Sequence, residues 1–255
     1  MLWHKSWLET RSRFLIGLGL VMCSAAAVAA MYPSVRELLP LVPAPDVGGE
    51  LGRRIREAAE LARDYRGYVW SSWFAKQLSQ SWTVFAVLLG TGGLLSQATR
   101  GGALFTLSLP VSRNRVLAIR AATGLAELAV LAFAPSLLLV MLSPAVGESY
   151  GIGDALIHSG CLFVAGGVFF SLAFLLSTVF GDMWRPLLIT LVLAVVLALA
   201  DQVFPGVSRV SVFPVMSAER YFHGGGLPWL GLVASAAVSA ALLAAAARNI
   251  ARQDF

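Results

Sequence analysis

Six stretches of the chain are apolar over a length that fits a membrane span, and the polar residues concentrate between them. A helix needs about 20 apolar residues to cross a hydrocarbon core of about 30 Å, and in that core it satisfies its own backbone hydrogen bonds. The pattern predicts an all-α integral membrane protein with one transmembrane domain over residues 1–255. The six predicted spans are Phe14–Met31, Leu78–Ser96, Val116–Leu142, Ala155–Phe180, Pro186–Phe204 and Leu227–Ala247.

The first two spans have features that oppose this assignment. Thr91, Gly92 and Gly93 dilute the second span. The first follows a basic segment, and Ala27-Val28-Ala29 resembles the cleavage site of a secretory signal peptide. Its apolar run is longer than the roughly 7–15 residues usual in signal peptides, so we predict a retained helix.

Composition agrees with a membrane protein. Hydrophobic residues make up 58% of the chain and charged residues only 13%, whereas soluble domains carry about 25% charged residues. The net charge of +5 is assigned to membrane topology rather than to nucleic-acid binding, because no solvated basic domain is present. Cys23 and Cys161 lie in apolar runs and are interpreted as small buried hydrophobes, which leaves no cysteine-based metal site or disulfide.

Lysine and arginine in the connections predict the orientation. With the N terminus inside, the short outer loops at 143–154 and 205–226 carry only Arg209 and Arg220, as the positive-inside rule expects. The loop at 32–77 opposes this assignment with seven basic residues. We predict a multi-pass protein of a bacterial inner membrane with both termini cytoplasmic. The basic residues on the inner side are Lys5, Arg11, Arg13, Arg100, Arg113, Arg115, Arg185, Arg248 and Arg252.

Two segments outside the spans have helical patterns. Residues 1–13 place Trp3 and Trp7 on one face and charged residues on the other, which predicts an interfacial helix. Within the extracytoplasmic loop at 32–77, apolar residues recur at spacings of four and three over 50–69. That helix is interpreted either as a lid or docking surface, or as a helix that lies on the membrane or its neighbours. Its apolar positions are Leu51, Ile55, Ala58, Ala62, Tyr65 and Val69.

Ionisable residues inside spans are costly and mark candidate sites. Glu127 lies midway along the third span, and it either lines a polar cavity or pairs with Arg120. His158 and Asp201 are interpreted as interfacial. No catalytic or metal-binding motif is present, so we predict that the chain is not an enzyme and binds no cofactor or metal itself. In the sixth span Ala236, Ala240 and Ala244 form a small-residue ridge, which we assign to packing within the subunit.

The connection between the second and third spans, residues 97–115, is built unlike a simple linker. It begins with a helical pattern, breaks at Pro110, and carries Arg100, Arg113 and Arg115. The chain has no phosphate-binding loop and no cytoplasmic segment large enough for a nucleotide-binding domain. Energy for transport would therefore come from a partner or from coupled ions. We predict that a partner protein would bind residues 97–115 and move them.

Gly101 followed by Leu107-Ser108-Leu109-Pro110-Val111-Ser112-Arg113, after the second of six spans, resembles the ABC-2 type transporter permeases. The amphipathic N terminus is similar to the opening helix of that family. The resemblance implies a coupling helix that docks into a separate ATPase subunit, which binds the ATP, and a second permease subunit. It also implies a membrane re-entry turn at Pro110, Ser112 and Arg113. The coupling residues it implies are Gln97, Thr99, Arg100, Gly101, Leu104 and Phe105.

One departure from the family pattern bears on the ATPase contact. Glutamates usually precede the glycine, whereas this chain has Gln97, Thr99 and Arg100, and Gly102 replaces the usual threonine. The expected function is the membrane subunit of an ATP-driven exporter of an amphiphilic or lipid-like substrate. The alternatives are an ATPase-coupled scaffold or signalling component, an ion-coupled transporter that uses Glu127 and Asp201, and an intramembrane enzyme.

Overall fold

A computed structural model describes residues 2–38, 49–91, 113–203 and 211–252, and within these ranges the chain is almost entirely helical. Tyr65–Gly90 is one unbroken helical run, which consists of α3, a π-helical stretch at Trp70–Leu78, and α4. A 3-10 turn at Ser143–Val146 follows α5. The α-helices are α1 Leu2–Leu38, α2 Glu50–Arg63, α3 Tyr65–Val69, α4 Ser79–Gly90, α5 Arg113–Leu142, α6 Ile152–Val179, α7 Trp184–Val203, α8 Val212–Met216, α9 Glu219–Phe222 and α10 Trp229–Arg252.

Five of the described helices are long and apolar enough to cross a membrane, namely α1, α5, α6, α7 and α10. They coincide with five of the six predicted spans, and the multi-pass class is confirmed. The remaining predicted span, Leu78–Ser96, is described only as far as residue 91, and α4 within it has 12 residues.

Contacts between distant residues define two ends of the bundle. Arg13 of α1 meets Leu88, near the end of α4, whereas Tyr32 of α1 meets Tyr65, at the start of α3. The run from Tyr65 to Gly90 is therefore antiparallel to α1. We call the end that holds Arg13 the N-terminal end, and the end that holds Tyr32 and Tyr65 the aromatic end.

Helix α1 begins earlier than predicted, because residues 2–13 are its first turns rather than a separate helix. The segment contains neither glycine nor proline, so nothing interrupts the backbone hydrogen bonds before Phe14. Its buried residues recur at spacings of three and four, and they form one stripe that packs against the rest of the bundle. The stripe consists of Ser6, Thr10, Phe14, Gly17, Val21, Ser24, Val28 and Tyr32.

The predicted helix at 50–69 is divided at Asp64. The backbone of this residue is extended, at φ −101° and ψ 135°, and its carboxylate accepts a hydrogen bond from the Gly67 amide. Aspartate is a favoured N-cap because its side chain satisfies an amide that the first helical turn leaves free. The sequence pattern missed this break, so Tyr65 and Val69 belong to a new helix that enters the bundle.

Helix α4 packs closely on α6, and a glycine permits the approach. A Cβ on Gly90 would lie 2.7 Å from the backbone oxygen of Phe170 and 2.9 Å from the Ala173 side chain. Small residues allow helix backbones to approach where lipid removes the hydrophobic drive for association. The Trp82 side chain is fully buried, and its indole donates to the Leu128 carbonyl of α5 at 3.2 Å. Helix α4 thus lies among the spans.

The small-residue ridge of α10 does not pack within the subunit. Ala236, Ala240 and Ala244 are exposed, while α10 buries Gly231, Ser235, Ala246 and Ile250 instead. The helix is rotated by about one position relative to the prediction, which brings Ser239 within 3.6 Å of a Cβ built on Gly167 of α6. Helix α10 is small-residue-rich on several faces, so residue size alone left the packed face undetermined.

Candidate functional site at the N-terminal end

At the N-terminal end lie the described residues that border residues 92–112, which include most of the predicted coupling segment at 97–115. Thr91 is the last described residue before residue 92, and Arg113, within the predicted segment, is the first residue of α5. Arg113 thus begins a long helix, and Arg115 is exposed. The following predicted site residues lie outside the described residues: Gln97, Thr99, Arg100, Gly101, Leu104, Phe105, Pro110 and Ser112.

Arg13 of α1 connects three chain segments. Its Nη1 donates to the carbonyl oxygens of Leu88 at 3.0 Å and of Thr91 at 3.3 Å. Its Nη2 lies 2.9 Å from the Met183 sulfur, in the connection between α6 and α7. Carbonyl groups at the C-terminal end of a helix lack intrahelical partners and attract cations. Arg13 therefore completes the end of α4 and fixes it to α1.

A second charged contact joins α1 to the start of α5. Nη1 of Arg120 lies 3.5 Å from Oε2 of Glu9, and the Arg120 side chain is largely buried whereas Glu9 is partly exposed. A guanidinium removed from water requires a nearby anion or hydrogen-bond acceptors. The contact therefore holds the first turns of α1 on the second turn of α5.

Glu127 lies one layer further into the bundle, on the side of α5 that faces α1. It is only 3% exposed, and its Oε1 forms a hydrogen bond with the Thr10 hydroxyl. Its Oε2 is buried and has no hydrogen-bond partner among the described residues. The structure thus gives Glu127 a threonine as partner, and the ion pair of Arg120 is with Glu9. Thr123 is buried nearby on the same helix and donates to the Ile119 carbonyl.

These contacts make the N-terminal part of α1 a clamp over the two elements that border residues 92–112. Arg13 fixes the end of α4, whereas Glu9 and Thr10 fix α5. A rigid helix transmits a displacement over its whole length. A force on residues 92–112 would therefore act on α4 and α5 and, through the clamp, on α1.

The aromatic end has a different construction. Arg66 of α3 donates to both carboxylate oxygens of Asp154 in α6, at 2.8 and 3.3 Å, and the Tyr221 hydroxyl donates to the same carboxylate at 2.7 Å. Trp70 stacks on Phe222 with ring centroids 4.1 Å apart. Helix α3 is thereby fixed to α6, and the π-helical stretch that follows it is fixed to α9.

His158 and Asp201 were predicted at the interface. His158 is fully buried; its Nδ1 lies 3.2 Å from the Ser217 carbonyl oxygen, and its ring packs on Phe74 at 4.7 Å. Asp201 lies near the end of α7 and accepts a hydrogen bond from Ser211. Within the described ranges, no group of three or more His, Cys, Asp or Glu side chains is arranged to hold a metal ion.

Tyrosines at the aromatic end are held in their neutral form. Burial, followed by the negative charge of Asp154, raises the pKa of Tyr150. For Tyr221 the main cause of a raised pKa is the hydrogen bond to Asp154. The hydroxyl of Tyr65 lies 2.8 Å from the Ser143 hydroxyl. Deprotonation of this cluster would therefore oppose its packing.

Comparison with known proteins returns no match among family models, curated proteins or solved structures. The resemblance to the ABC-2 permeases consequently stays a prediction from the connection at 97–115. The contacts of α1 with α4 and α5 are the structural observations that bear on it.

Proposed function

We propose that the chain is the membrane subunit of an ATP-driven ABC-2 type transporter. In this proposal residues 97–106 dock into a separate ATPase subunit, and two permease subunits form the pathway for an amphiphilic or lipid-like substrate. The proposal rests on the motif ending in Leu107-Ser108-Leu109-Pro110-Val111-Ser112-Arg113 and on the clamp at the N-terminal end.

The clamp is the observation that carries the proposal. A connection that couples ATP hydrolysis to transport has to move more than the two helices it joins. Arg13 and the pair of Glu9 with Arg120 supply that linkage, because they attach α1 to α4 and α5. A simple linker between two spans gives no reason for a partly buried arginine to bind the end of the preceding helix.

The proposal also includes six spans, with both termini in the cytoplasm of a bacterial cell. The run from Tyr65 to Gly90 supports the second of the six predicted spans. Its two α-helical parts, of 5 and 12 residues, alone extend about 26 Å at 1.5 Å per residue, and the π-helical stretch between them adds to that length. Its ends meet α1 at Tyr32 and at Arg13, so it extends as far along the bundle as that part of α1.

Reporter fusions test this topology. An alkaline phosphatase that is active only outside, and a fluorescent protein that is fluorescent only inside, are fused after Gly49, Gly147, Asp182 and Phe255. Six spans predict phosphatase activity after Gly49 and Gly147, and fluorescence after Asp182 and Phe255. Phosphatase activity at one of Gly49 and Gly147 with fluorescence at the other would contradict the second predicted span, because the run from Tyr65 to Gly90 would then not cross the membrane.

Docking is tested by co-expression with the ATP-binding cassette ATPase that the proposal expects in a neighbouring reading frame. We expect a complex that co-purifies, and we expect Arg100→Glu or Gly101→Asp to weaken association and ATP hydrolysis by about tenfold, as loss of about 1.4 kcal/mol would. Arg36→Glu is the matched charge reversal at the aromatic end, where Arg36 is exposed and pairs with Glu148 at 3.3 Å, and it should have no effect. Association that survives replacement of residues 97–106 would refute the docking assignment.

Transport itself separates the proposal from its alternatives. Reconstituted vesicles should move a fluorescent lipid analogue only with ATP and the ATPase subunit. Complex formation and ATP hydrolysis without movement of any amphiphile would favour a scaffold or signalling component. Movement that follows a proton gradient, needs no ATPase and is lost in Glu127→Gln would favour an ion-coupled transporter.

A further inference from the structure

Glu127 is placed where a charged carboxylate has no support. The side chain is buried between α5 and α1, and among the described residues only the Thr10 hydroxyl contacts its carboxyl group. The second oxygen, Oε2, is inaccessible and has no hydrogen-bond partner in the part of the chain that the structure describes. An ionised carboxylate removed from water requires a cation or several donors, and this arrangement offers at most one hydroxyl.

The other contacts of Thr10 determine which side chain donates in its hydrogen bond with Glu127. A threonine hydroxyl has one hydrogen and two acceptor lone pairs. The Thr10 Oγ1 lies 3.2 Å from the Ser6 carbonyl oxygen and also contacts Oε1 of Glu127. Both of those atoms are acceptors when Glu127 is ionised, so one hydrogen cannot satisfy both. A threonine in a helix commonly donates to the carbonyl four residues earlier, and a proton on Glu127 then satisfies the remaining contact.

Two arginines of the α1–α5 contact have partners other than Glu127. Arg120, two turns earlier on α5, pairs with Glu9, and Arg13 of α1 donates to the carbonyl oxygens of Leu88 and Thr91. The clamp therefore forms its ion pair without the carboxyl group of Glu127.

The other helices that pack on α5 are α4, α6 and α10. Helix α4 has no ionisable residue. The ionisable groups of α6 are Asp154 and His158, which contact residues of the aromatic end, and the thiol of Cys161. Arg248 and Arg252 of α10 are exposed. None of these groups forms an ion pair or hydrogen bond with Glu127.

We propose that Glu127 is a proton-binding site, present as a neutral carboxylic acid that donates to Oγ1 of Thr10, while the Thr10 hydrogen goes to the Ser6 carbonyl oxygen. Release of the proton leaves a carboxylate that needs water or a cation at Oε2. Water reaches that oxygen when α1 separates from α5, so helix movement and proton release are linked at this contact. The site depends only on the α1–α5 contact and requires neither the ATPase nor transport.

Infrared spectroscopy of the purified full-length protein in lipid nanodiscs tests the protonation state directly. Glutamate labelled with ¹³C at the carboxyl group shifts the carbonyl band of any protonated glutamic acid, which distinguishes it from aspartic acid. At neutral pH we expect one such glutamic-acid band in the wild-type protein and its loss in Glu127→Gln. The control Asp201→Asn alters the other carboxyl group within the described ranges that has a buried oxygen without a hydrogen-bond partner, and it should leave the labelled band unchanged.

Thr10 supplies a second, independent test. Thr10→Val removes the proposed acceptor and should move the labelled band to the higher frequency of a carboxylic acid without a hydrogen bond, whereas Thr10→Ser should retain the wild-type frequency. A wild-type spectrum that contains only carboxylate bands from glutamate would overturn the proposal. A glutamic-acid band that persists in Glu127→Gln would overturn it as well. Neither result bears on ATPase association, so the proton-binding site can be refuted while the proposed function stands.

Discussion

The two ends of the bundle are held together by different interactions. At the aromatic end, stacked rings and a bidentate ion pair connect α3, α6 and the connection that carries α8 and α9. At the N-terminal end, α1 meets α4 and α5 through a few charged and polar side chains. Ring stacking buries large areas and resists separation, whereas a hydrogen bond to a charged group contributes about 1.5–3 kcal/mol net. The comparison indicates a fixed aromatic end and a responsive N-terminal end.

The largest effect on stability is expected from Trp70→Ala at the aromatic end. Trp70 is buried, stacks on Phe222, and donates its indole hydrogen to the Ser217 carbonyl oxygen at 2.9 Å. Removal of a buried tryptophan costs about 3–5 kcal/mol. We expect a clearly lower midpoint of thermal unfolding in detergent, with the proposed ATPase complex still able to assemble at low temperature.

Trp70→Phe is the control for that substitution. It keeps most of the ring stack and loses one hydrogen bond, which is worth about 0.5–1.5 kcal/mol. An equal loss in Trp70→Ala and Trp70→Phe would show that the hydrogen bond, rather than the stack, fixes this end.

The clamp should respond differently to Arg13→Gln. The substitution removes charge-assisted hydrogen bonds to the Leu88 and Thr91 carbonyl oxygens. Hydrogen bonds to a charged group contribute about 1.5–3 kcal/mol to the free energy of unfolding. We expect a moderate loss of stability together with loss of substrate-stimulated ATP hydrolysis, since α1 no longer follows α4. The ATPase should still co-purify. Wild-type stimulation in Arg13→Gln would refute the mechanical role of this contact.

Much of this architecture could be predicted from the sequence, and the exceptions have physical causes. Five apolar runs correspond to five helices because length and composition alone specify a membrane span. The spacing of apolar residues did not predict the helix break at Asp64, although aspartate is a favoured residue at the N-cap of a helix. Arg13 was assigned to topology, and its partners at residues 88, 91 and 183 are too distant in sequence to form a pattern.

The partner of Glu127 could not be predicted from the sequence either. Its position in an apolar run marked it as a candidate, and Arg120 two turns away offered an obvious partner. The sequence contains no indication that Thr10, 117 residues earlier, would be its hydrogen-bond partner, because that contact depends on how α1 packs on α5. The type of residue identified the site, whereas the fold selected its partner.

A charge exchange tests the pair of Glu9 and Arg120 with a smaller expected effect. Glu9→Arg or Arg120→Glu alone places like charges together and should lower stability by about 1–3 kcal/mol, as the loss of a partly desolvated partner does. The double variant restores opposite charges at the same positions, and we expect recovery of much of the loss. Thermal unfolding of the three variants gives the coupling energy. Additive losses would show that the two side chains do not interact.

The smallest effect is expected at the aromatic end at high pH, and it comes from Tyr150. Burial raises its pKa, so the folded state favours the neutral phenol over the phenolate. The resulting contribution to stability is fully present below the unfolded value of about 10 and decreases as the pH rises above it. The hydroxyl of Tyr150 is buried and has no hydrogen-bond partner within the described ranges. Tyr150→Phe should therefore leave stability at pH 8 unchanged or slightly higher, and reduce the loss between pH 8 and pH 11. If both proteins lose the same stability over that interval, deprotonation of Tyr150 does not loosen the aromatic end, and Tyr65 and Tyr221 become the groups to replace.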